Sequence, residues 1–381
     1  MKMLKQLNEV YPFLNFIPSH ASGSYIYSED GRKILDMYGG HAVTSLGYGN
    51  EQFSDFLSKQ IKDLIFQSNA VNLPIREEAS KKLISLAPDS VDKVFFVNSG
   101  AEANENALKI ALKISNDRKK VISLKHAFHG RTAAAAAVTW GNEKWYGFPN
   151  KPMNVEFIER DSMEGLHKID EDVAAVIIEP VQGIGGAYAF DQSYISALEQ
   201  KCKDHKVLLI ADEVQCGMAR CGEVFCSNLY NIKPDMITLA KGLGGGVPVG
   251  AVLVSKEIAS SLGPGDLGST FGGGPLASAA VSFVTDTIQD KSFLKNISRV
   301  SALLMKGCLL PPITQVQGKG LLIGLVSDFA GEIKARLLDK NILVGSSSFK
   351  NTIRLLPPLT LSVEEVELFI ETLKEVCHEI S

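Results

Sequence analysis

Val207-Leu208-Leu209-Ile210-Ala211-Asp212-Glu213-Val214-Gln215 is an unbroken apolar run that ends on two acids and an amide. An apolar run of strand length, with no polar residue on either face, suits a strand covered by helices on both sides. Four other stretches carry the same pattern: Lys93-Val94-Phe95-Phe96-Val97, Lys120-Val121-Ile122-Ser123-Leu124, Ala174-Ala175-Val176-Ile177-Ile178 and Asp235-Met236-Ile237-Thr238-Leu239. Between them, residues 101–114, 193–203 and 275–288 read as helices. Strands that alternate with helices predict an α/β fold with a mostly parallel sheet. Ligands of such sheets collect at the C-terminal ends of the strands, which makes Asp212 and its neighbours candidates for a site.

Away from this central layer the pattern changes. From about residue 290 come a helix (293–309), extended stretches at 314–316 and 321–326, and an amphipathic helix at 362–378, a smaller α+β unit. Near the start, Tyr25-Ile26-Tyr27 and Lys33-Ile34-Leu35-Asp36-Met37 flank Glu29-Asp30-Gly31, and an Asp-Gly turn between β-prone runs predicts a hairpin. This hairpin is expected to dock on the C-terminal unit. The expected division is an N-terminal arm and hairpin at 1–45, a large domain at 46–288 and a small domain at 289–381.

The bulk numbers exclude several classes. A net charge of −4 and a pI near 6.0 give no basic footprint for nucleic acid. The opening residues 1–9 are polar and charged, unlike a secretory leader. No apolar run reaches the length of a membrane span. Six cysteines without small-scaffold spacing fit a reducing, cytoplasmic setting. Cys216, Cys221 and Cys226 are separated by four intervening residues each, without a CxxC pair, so buried thiols are expected there and no metal.

Four polar clusters follow expected strands. Asn98-Ser99-Gly100-Ala101-Glu102 is a small-residue turn into a helix, whose free amides and dipole suit a phosphate; taken alone, a plain turn capped by Ser99 is the better explanation. Asp212 closes its strand, where a carboxylate can hold a pyridine nitrogen protonated, or cap a helix. Lys241, in Thr238-Leu239-Ala240-Lys241-Gly242-Leu243-Gly244-Gly245-Gly246, sits between apolar and glycine-rich sequence. Desolvation there favours a neutral, nucleophilic amine, although most lysines are solvated surface charges. In Phe128-His129-Gly130-Arg131-Thr132, Phe128 can cover a flat ligand and Arg131 can grip a carboxylate. Core packing and a surface ion pair are their plainer readings.

Taken in order, these clusters resemble the class III (subgroup II, fold type I) aminotransferases along nearly the whole chain. The markers are Leu35-Asp36-Met37-Tyr38-Gly39-Gly40-His41-Ala42-Val43, Asn98-Ser99-Gly100-Ala101-Glu102-Ala103-Asn104, His129-Gly130-Arg131-Thr132, Ile178-Glu179-Pro180-Val181-Gln182-Gly183, Asp212-Glu213-Val214-Gln215, Ala240-Lys241-Gly242 and Ser269-Thr270-Phe271-Gly272-Gly273. Within that class the sequence is most similar to the acetylornithine and succinylornithine aminotransferases of arginine biosynthesis. The resemblance implies a fold type I transferase: a large domain on a mostly parallel seven-stranded sheet and a smaller α+β domain from both chain ends. It implies pyridoxal 5′-phosphate as cofactor, an amino donor and 2-oxoglutarate as substrates, and a homodimer with shared active sites.

The resemblance also implies roles. Lys241 would hold the cofactor and shuttle the substrate proton, Asp212 would bind the ring nitrogen and Gln215 the phenolic oxygen. Phe128 and Val214 would pack the two ring faces. Ser99, Gly100 and Ala101 would hold the phosphate, and Thr270 would reach that of the neighbouring subunit. Arg131 would bind the donor's α-carboxylate. Glu179 and Arg354 match a switch pair in which Glu179 masks Arg354 until 2-oxoglutarate arrives. Tyr11 matches a substrate-contacting tyrosine, and a packing aromatic in the arm accounts for it as well. Ser68-Asn69 stands where ornithine aminotransferases carry a bulkier pair, leaving room for an acylated side chain. Transaminases of ω-amino acids, β-amino acids or diamines, and an aminomutase, are the alternatives within the same fold.

Several positions depart from the family pattern. Ile184 replaces a frequent Glu, Ala219 a Gly and Gly274 an Asn, while Leu46-Gly47-Tyr48-Gly49-Asn50 lacks two histidines and a proline. None is a cofactor residue, so they bear on the substrate and not on the reaction type.

Overall fold

The computed structural model describes residues 6–8 and 10–380, so most of the polar start read from residues 1–9 lies outside the described residues. Its centre is a seven-stranded sheet in the spatial order Lys93–Val97, Gly250–Val254, Met236–Leu239, Leu208–Asp212, Val173–Ile178, Lys120–Leu124, Asn154–Ile158. Gly250–Val254 runs antiparallel to both neighbours, and the other strands share one direction. The sheet is therefore mostly parallel, as the resemblance implied.

All residues of Val173–Ile178, Met236–Leu239 and Gly250–Val254 are buried. Two-sided burial of an aliphatic side chain is worth about 1.5–3 kcal/mol, which is why these runs carry no alternation. Asn154–Ile158 and Gly250–Val254 were not among the five strands read from the sequence. The first is a partly exposed edge strand carrying Glu156, and the second is preceded by Gly-rich sequence and Pro248, which read as loop.

Helix Gly100–Ile114 packs on this sheet through Ala103, Ala107, Leu108, Ile110 and Ala111. Ser99 caps it by accepting from the Glu102 amide at 3.1 Å, and the Glu102 carboxylate reaches back to the Asn98 amide at 2.8 Å. Pro275–Ile288 forms as expected, with Pro275 in its first turn. Glu51–Leu64 and Pro74–Leu86 are further helices that pack against it.

The hairpin forms with Tyr25 opposite Leu35 and Ile26 opposite Ile34, and Gly31 at φ 84° turns the chain. Strand Pro18–Ser22 extends it on one side, and Ile342–Leu343 pairs parallel to Lys33–Asp36 on the other. The N-terminal hairpin is thus stitched to the C-terminal part by main-chain bonds. A second sheet, Gln315–Lys319, Leu322–Val326, Thr352–Leu355 and Gly345–Ser346, carries Arg354 toward the central sheet. Among the described residues, no helix is long and apolar enough to cross a membrane.

Candidate active site

Strand ends from three neighbours in the sheet meet at one point. Asp212 ends its strand with Thr238 as cross-strand partner, and Glu179 directly follows Val173–Ile178. A cavity of about 440 Å³ opens there, lined by Ser99, Gly100 and Ala101, by Phe128 and Arg131, by Glu179, and by Asp212, Val214, Gln215 and Lys241. That volume falls in the range of small-molecule sites. Residues from five separated sequence clusters therefore converge on one cavity, as expected.

Lys241 leaves the strand Met236–Leu239 through a sharp turn. Its φ of 48° lies in the left-handed region, which a residue with a Cβ enters only at a cost of about 1 kcal/mol. Burial lowers the pKa of its amine, against the opposing pull of Asp212 and Glu179. The amine is thereby poised to act as a nucleophile or base.

Asp212 is anchored from behind by a buried network. Its Oδ2 accepts from Asn104 Nδ2 at 2.7 Å and from His129 Nδ1 at 2.7 Å, while Oδ1 accepts from the Val214 amide at 3.0 Å. Asn104 Nδ2 also donates to the His129 carbonyl at 2.7 Å, and Thr238 Oγ1 donates to Asn104 Oδ1 at 2.6 Å. The His129 amide donates to Thr139 Oγ1 at 2.9 Å. The carboxylate contact places a proton on His129 Nδ1, and Nε2 stays buried without a hydrogen-bond partner. An aspartate fixed in this way at the cavity wall, facing a lysine and a helix N-terminus, is the donor set that a protonated pyridine bearing a phosphate requires. The residues present fit such a group.

The walls are shaped by close approach. A Cβ on Gly100 would lie 2.6 Å from Val214 Cγ1, so Val214 packs directly over the start of the helix. Gly130, at φ 135°, would bring a Cβ to 2.7 Å from Ala101 Cβ. Arg131 is exposed at the cavity rim, its guanidinium 4.5 Å from the Trp145 ring centroid. Phe128 is half-buried, and its amide is held by Glu179.

Glu179 and Arg354, expected as a switch pair, stand close enough for the Glu179 charge to act on Arg354, and each makes its hydrogen bonds to other groups. Glu179 Oε1 accepts from the Phe128 amide at 2.9 Å and Oε2 from the Gly183 amide at 3.0 Å. Two buried amides at loop starts need acceptors, and this carboxylate supplies both. Burial raises its pKa, with Asp212 adding to the rise and His129 opposing it. Arg354 is 3% exposed and donates instead to Gln215 Oε1 at 2.9 Å, the Tyr38 hydroxyl at 3.0 Å and the Ser346 carbonyl at 2.6 Å. Among the described residues no ion pair joins Glu179 to Arg354.

Tyr11 and Thr270 are not among the residues lining the cavity. Tyr11 is 75% exposed, and Thr270 lies on an exposed loop beside Phe271. The six cysteines are buried and form no disulfide, and no metal-ligating group of three occurs among the described residues. His129, Asn104, Thr238 and Tyr38 are site residues to which the sequence reading gave no role. Asn104 carried a usable signal: it is a polar side chain in line with Ala107, Leu108 and Ala111 on the apolar face of its helix.

Comparison with known proteins agrees with this geometry. The family described as class-III aminotransferases matches residues 7–377. An acetylornithine aminotransferase of Methanocaldococcus jannaschii is 37% identical, covering 98% of this chain and 96% of the relative. A LysW-aminoadipate semialdehyde/glutamate semialdehyde transaminase of Sulfurisphaera tokodaii is 36% identical over 91% of this chain and 90% of its own. The crystal structure of an ornithine aminotransferase from Toxoplasma gondii superposes with a TM-score of 0.92 at 26% identity, covering 98% and 93% of the two chains. The chain belongs to the class-III aminotransferase family and is an aminotransferase.

Proposed function

We propose that this enzyme uses pyridoxal 5′-phosphate to move the side-chain amine of an N-acylornithine, such as acetylornithine or succinylornithine, to 2-oxoglutarate, as in arginine biosynthesis. The observation that carries this reading is a cavity holding a desolvated lysine and an anchored aspartate, with one arginine at its rim and a second reaching it through Gln215. Two arginines give each substrate a receptor for a carboxylate.

When bound, the cofactor supplies an electron sink for the pair left by a broken C–H bond. The chain's own groups do the rest. Asp212 keeps the ring nitrogen protonated, and His129 and Asn104 keep Asp212 aimed. The Gly100 and Ala101 amides, which the Ser99 cap does not use, take the phosphate with Ser99. Phe128 and Val214 would pack against the ring, and Gln215 would hydrogen-bond its phenolic oxygen. Lys241 would hold the cofactor between turnovers, and its amine would carry the proton between the substrate carbon that bears the amine and the cofactor, in one direction with the donor and in the other with the 2-oxo acid. Arg131 binds the donor's carboxylate, and Tyr11 closes the substrate end from the N-terminal arm. Glu179 fixes the Phe128 and Gly183 loops around both.

Thr270 reaches the phosphate across a homodimer. Supporting this, Phe66 and Phe271 pair at 5.3 Å between centroids yet Phe271 remains 66% exposed, apolar surface that a second copy would cover. Supporting an acylated donor, Ser68 is a small residue on the loop that precedes Asn69, and Asn69 reaches the Ser269 carbonyl at 2.7 Å.

A donor panel tests the reading. The cofactor-loaded enzyme is mixed with acetylornithine, succinylornithine, ornithine, 4-aminobutyrate, a diamine and β-amino acids, and the loss of cofactor absorbance is followed. Acylornithines should react fastest; reaction with ω-amines or β-amino acids alone refutes the assignment. Turnover that needs no added 2-oxo acid would identify an aminomutase.

A further inference from the structure

Gly242, the residue after Lys241, is enclosed by turns whose residues lie in the left-handed region. A Cβ on Gly242 would meet Met218 Cβ at 3.5 Å, Ser45 Cβ at 3.6 Å and the Ala42 carbonyl at 3.7 Å. Met218 has φ 52°, Ala42 φ 66° and Lys241 itself φ 48°. Ala42 closes the run Gly39–Ala42, in which every φ lies between 53° and 68°. Residues with a Cβ avoid this region. They stay in it only where neighbouring structure fixes them, and such places cluster at functional sites. Ser45, 1% exposed, crosses from the first of these turns to the lysine: its hydroxyl donates to the Gly242 carbonyl at 3.1 Å. The Gly245 amide reaches the same carbonyl at a longer 3.3 Å. Ser45 is itself held at both main-chain groups. Its amide donates to the carbonyl of Val43, which lines the cavity, at 2.8 Å, and its carbonyl accepts from the Leu359 amide at 3.0 Å.

From this we infer that Ser45 is a positioning residue for Lys241: its hydroxyl locks the turn that aims the lysine amine into the cavity. The inference rests on the role proposed for Lys241 and deepens it. The turn Lys241–Gly244 starts on a residue whose left-handed backbone is unfavourable by itself. Relaxation of that backbone would swing the lysine side chain. A hydrogen bond to the next carbonyl, from a residue anchored on both sides, opposes the swing. Proton transfer requires the amine within hydrogen-bond reach of the reacting carbon, and a small misplacement lowers the rate. Ser45 is not among the residues lining the cavity. It acts through Lys241 and leaves the groups that receive phosphate, ring and carboxylate in place. Its loss therefore slows the chemical step and spares binding.

The test compares wild type, Ser45→Ala, Ser45→Thr, Lys241→Ala and Ser90→Ala, each loaded with cofactor and mixed with the fastest donor of the panel without any 2-oxo acid. Ser90 is the control: its hydroxyl donates to the Pro234 carbonyl at 2.8 Å, at the far end of the strand that leads to Lys241. In Ser45→Ala the maximal rate of absorbance loss should fall about tenfold, with the half-saturating donor concentration unchanged. Ser45→Thr keeps the hydroxyl and should restore the rate. A second readout needs no turnover: methylation of Lys241 by formaldehyde and a borohydride in cofactor-free protein, followed against pH by peptide mass spectrometry. Burial lowers the pKa of this amine, so a turn set loose in Ser45→Ala should move the midpoint up, toward that of an ordinary lysine. Ser90→Ala should alter neither readout. Wild-type rate and midpoint in Ser45→Ala, beside an inactive Lys241→Ala, overturn this inference alone. So does an equal effect of Ser90→Ala, which would make the loss one of general stability. If Lys241→Ala reacts like the wild type, the proposed role of Lys241 falls and this inference with it.

Discussion

Asn104→Leu should be among the costliest conservative-volume changes in the chain. The side chain is buried at the sheet face of its helix and serves three groups: Asp212 Oδ2, the His129 carbonyl and the Thr238 hydroxyl. Leucine fills nearly the same volume but leaves the carbonyl and the hydroxyl without this partner and removes one anchor of Asp212. Each buried polar group stripped of its partner costs about 1 kcal/mol or more, so the network loses about 3 kcal/mol in all. For a chain of this size that corresponds to a fall in melting temperature of about 4 °C. The effect on function has the same origin. With one of its three anchors gone, Asp212 can turn from the cavity, and cofactor affinity should fall together with stability. Asn104→Asp should be worse for the cofactor than for the fold, because it sets a second carboxylate beside Asp212. The assay is thermal denaturation of cofactor-free and cofactor-loaded forms, with cofactor titration followed by absorbance. A leucine variant that melts with the wild type and binds cofactor equally well would refute the role given to this network.

Further outcomes follow from individual residues. Glu213 is fully buried and accepts from Ser227 Oγ and from the Cys226 and Ser227 amides, yet burial outweighs these donors and raises its pKa to about 7. The folded state then holds this proton more tightly than the unfolded chain, so stability falls as pH rises from about 4.5 to about 7. Glu213→Gln should flatten the stability profile in that window, read by urea denaturation across pH; an unchanged slope contradicts the assignment. Gly130→Ala forces a Cβ to 2.7 Å from Ala101 Cβ at a φ of 135°, and should cost about 2 kcal/mol while raising KM for the amino donor through Arg131. Calorimetric melting and donor titration check both parts, and a wild-type melting temperature rules the strain out.

Much of the site could be read from the chain because each piece interrupts a simple pattern. Asp212 and Lys241 are ionisable residues placed directly after apolar strands, and Ser99–Gly100–Ala101 is a small-residue turn before a helix. Periodicity locates such breaks, and the strand-end rule collects them at one edge of the sheet. What escaped was decided by side-chain pairing in three dimensions. Glu179 and Arg354 are both at the site, but two backbone amides compete for the carboxylate, and nothing in the sequence marks the Phe128 and Gly183 amides as needing an acceptor. Asn104 was absorbed into a helical period that otherwise reads as core. Tyr38 stood within a marker motif, and its contact with Arg354 depends on Gly345, a glycine over three hundred positions away that the sequence reading did not use. Gly250–Val254 was hidden by the glycines and proline before it, although its own five residues are as buried as any strand.

The most direct test of amino transfer through Lys241 is a two-stage single turnover. Cofactor-loaded wild type and Lys241→Ala are each mixed with acetylornithine without any 2-oxo acid, and 2-oxoglutarate is added afterwards. The predicted result for the wild type is loss of the cofactor absorbance in the first stage, and its return with one glutamate formed per site in the second. Lys241→Ala, reconstituted with cofactor, should bind the donor and complete neither stage at a comparable rate. A lysine-free variant that turns over like the wild type, or a wild type whose absorbance does not respond to acetylornithine, would contradict the central claim.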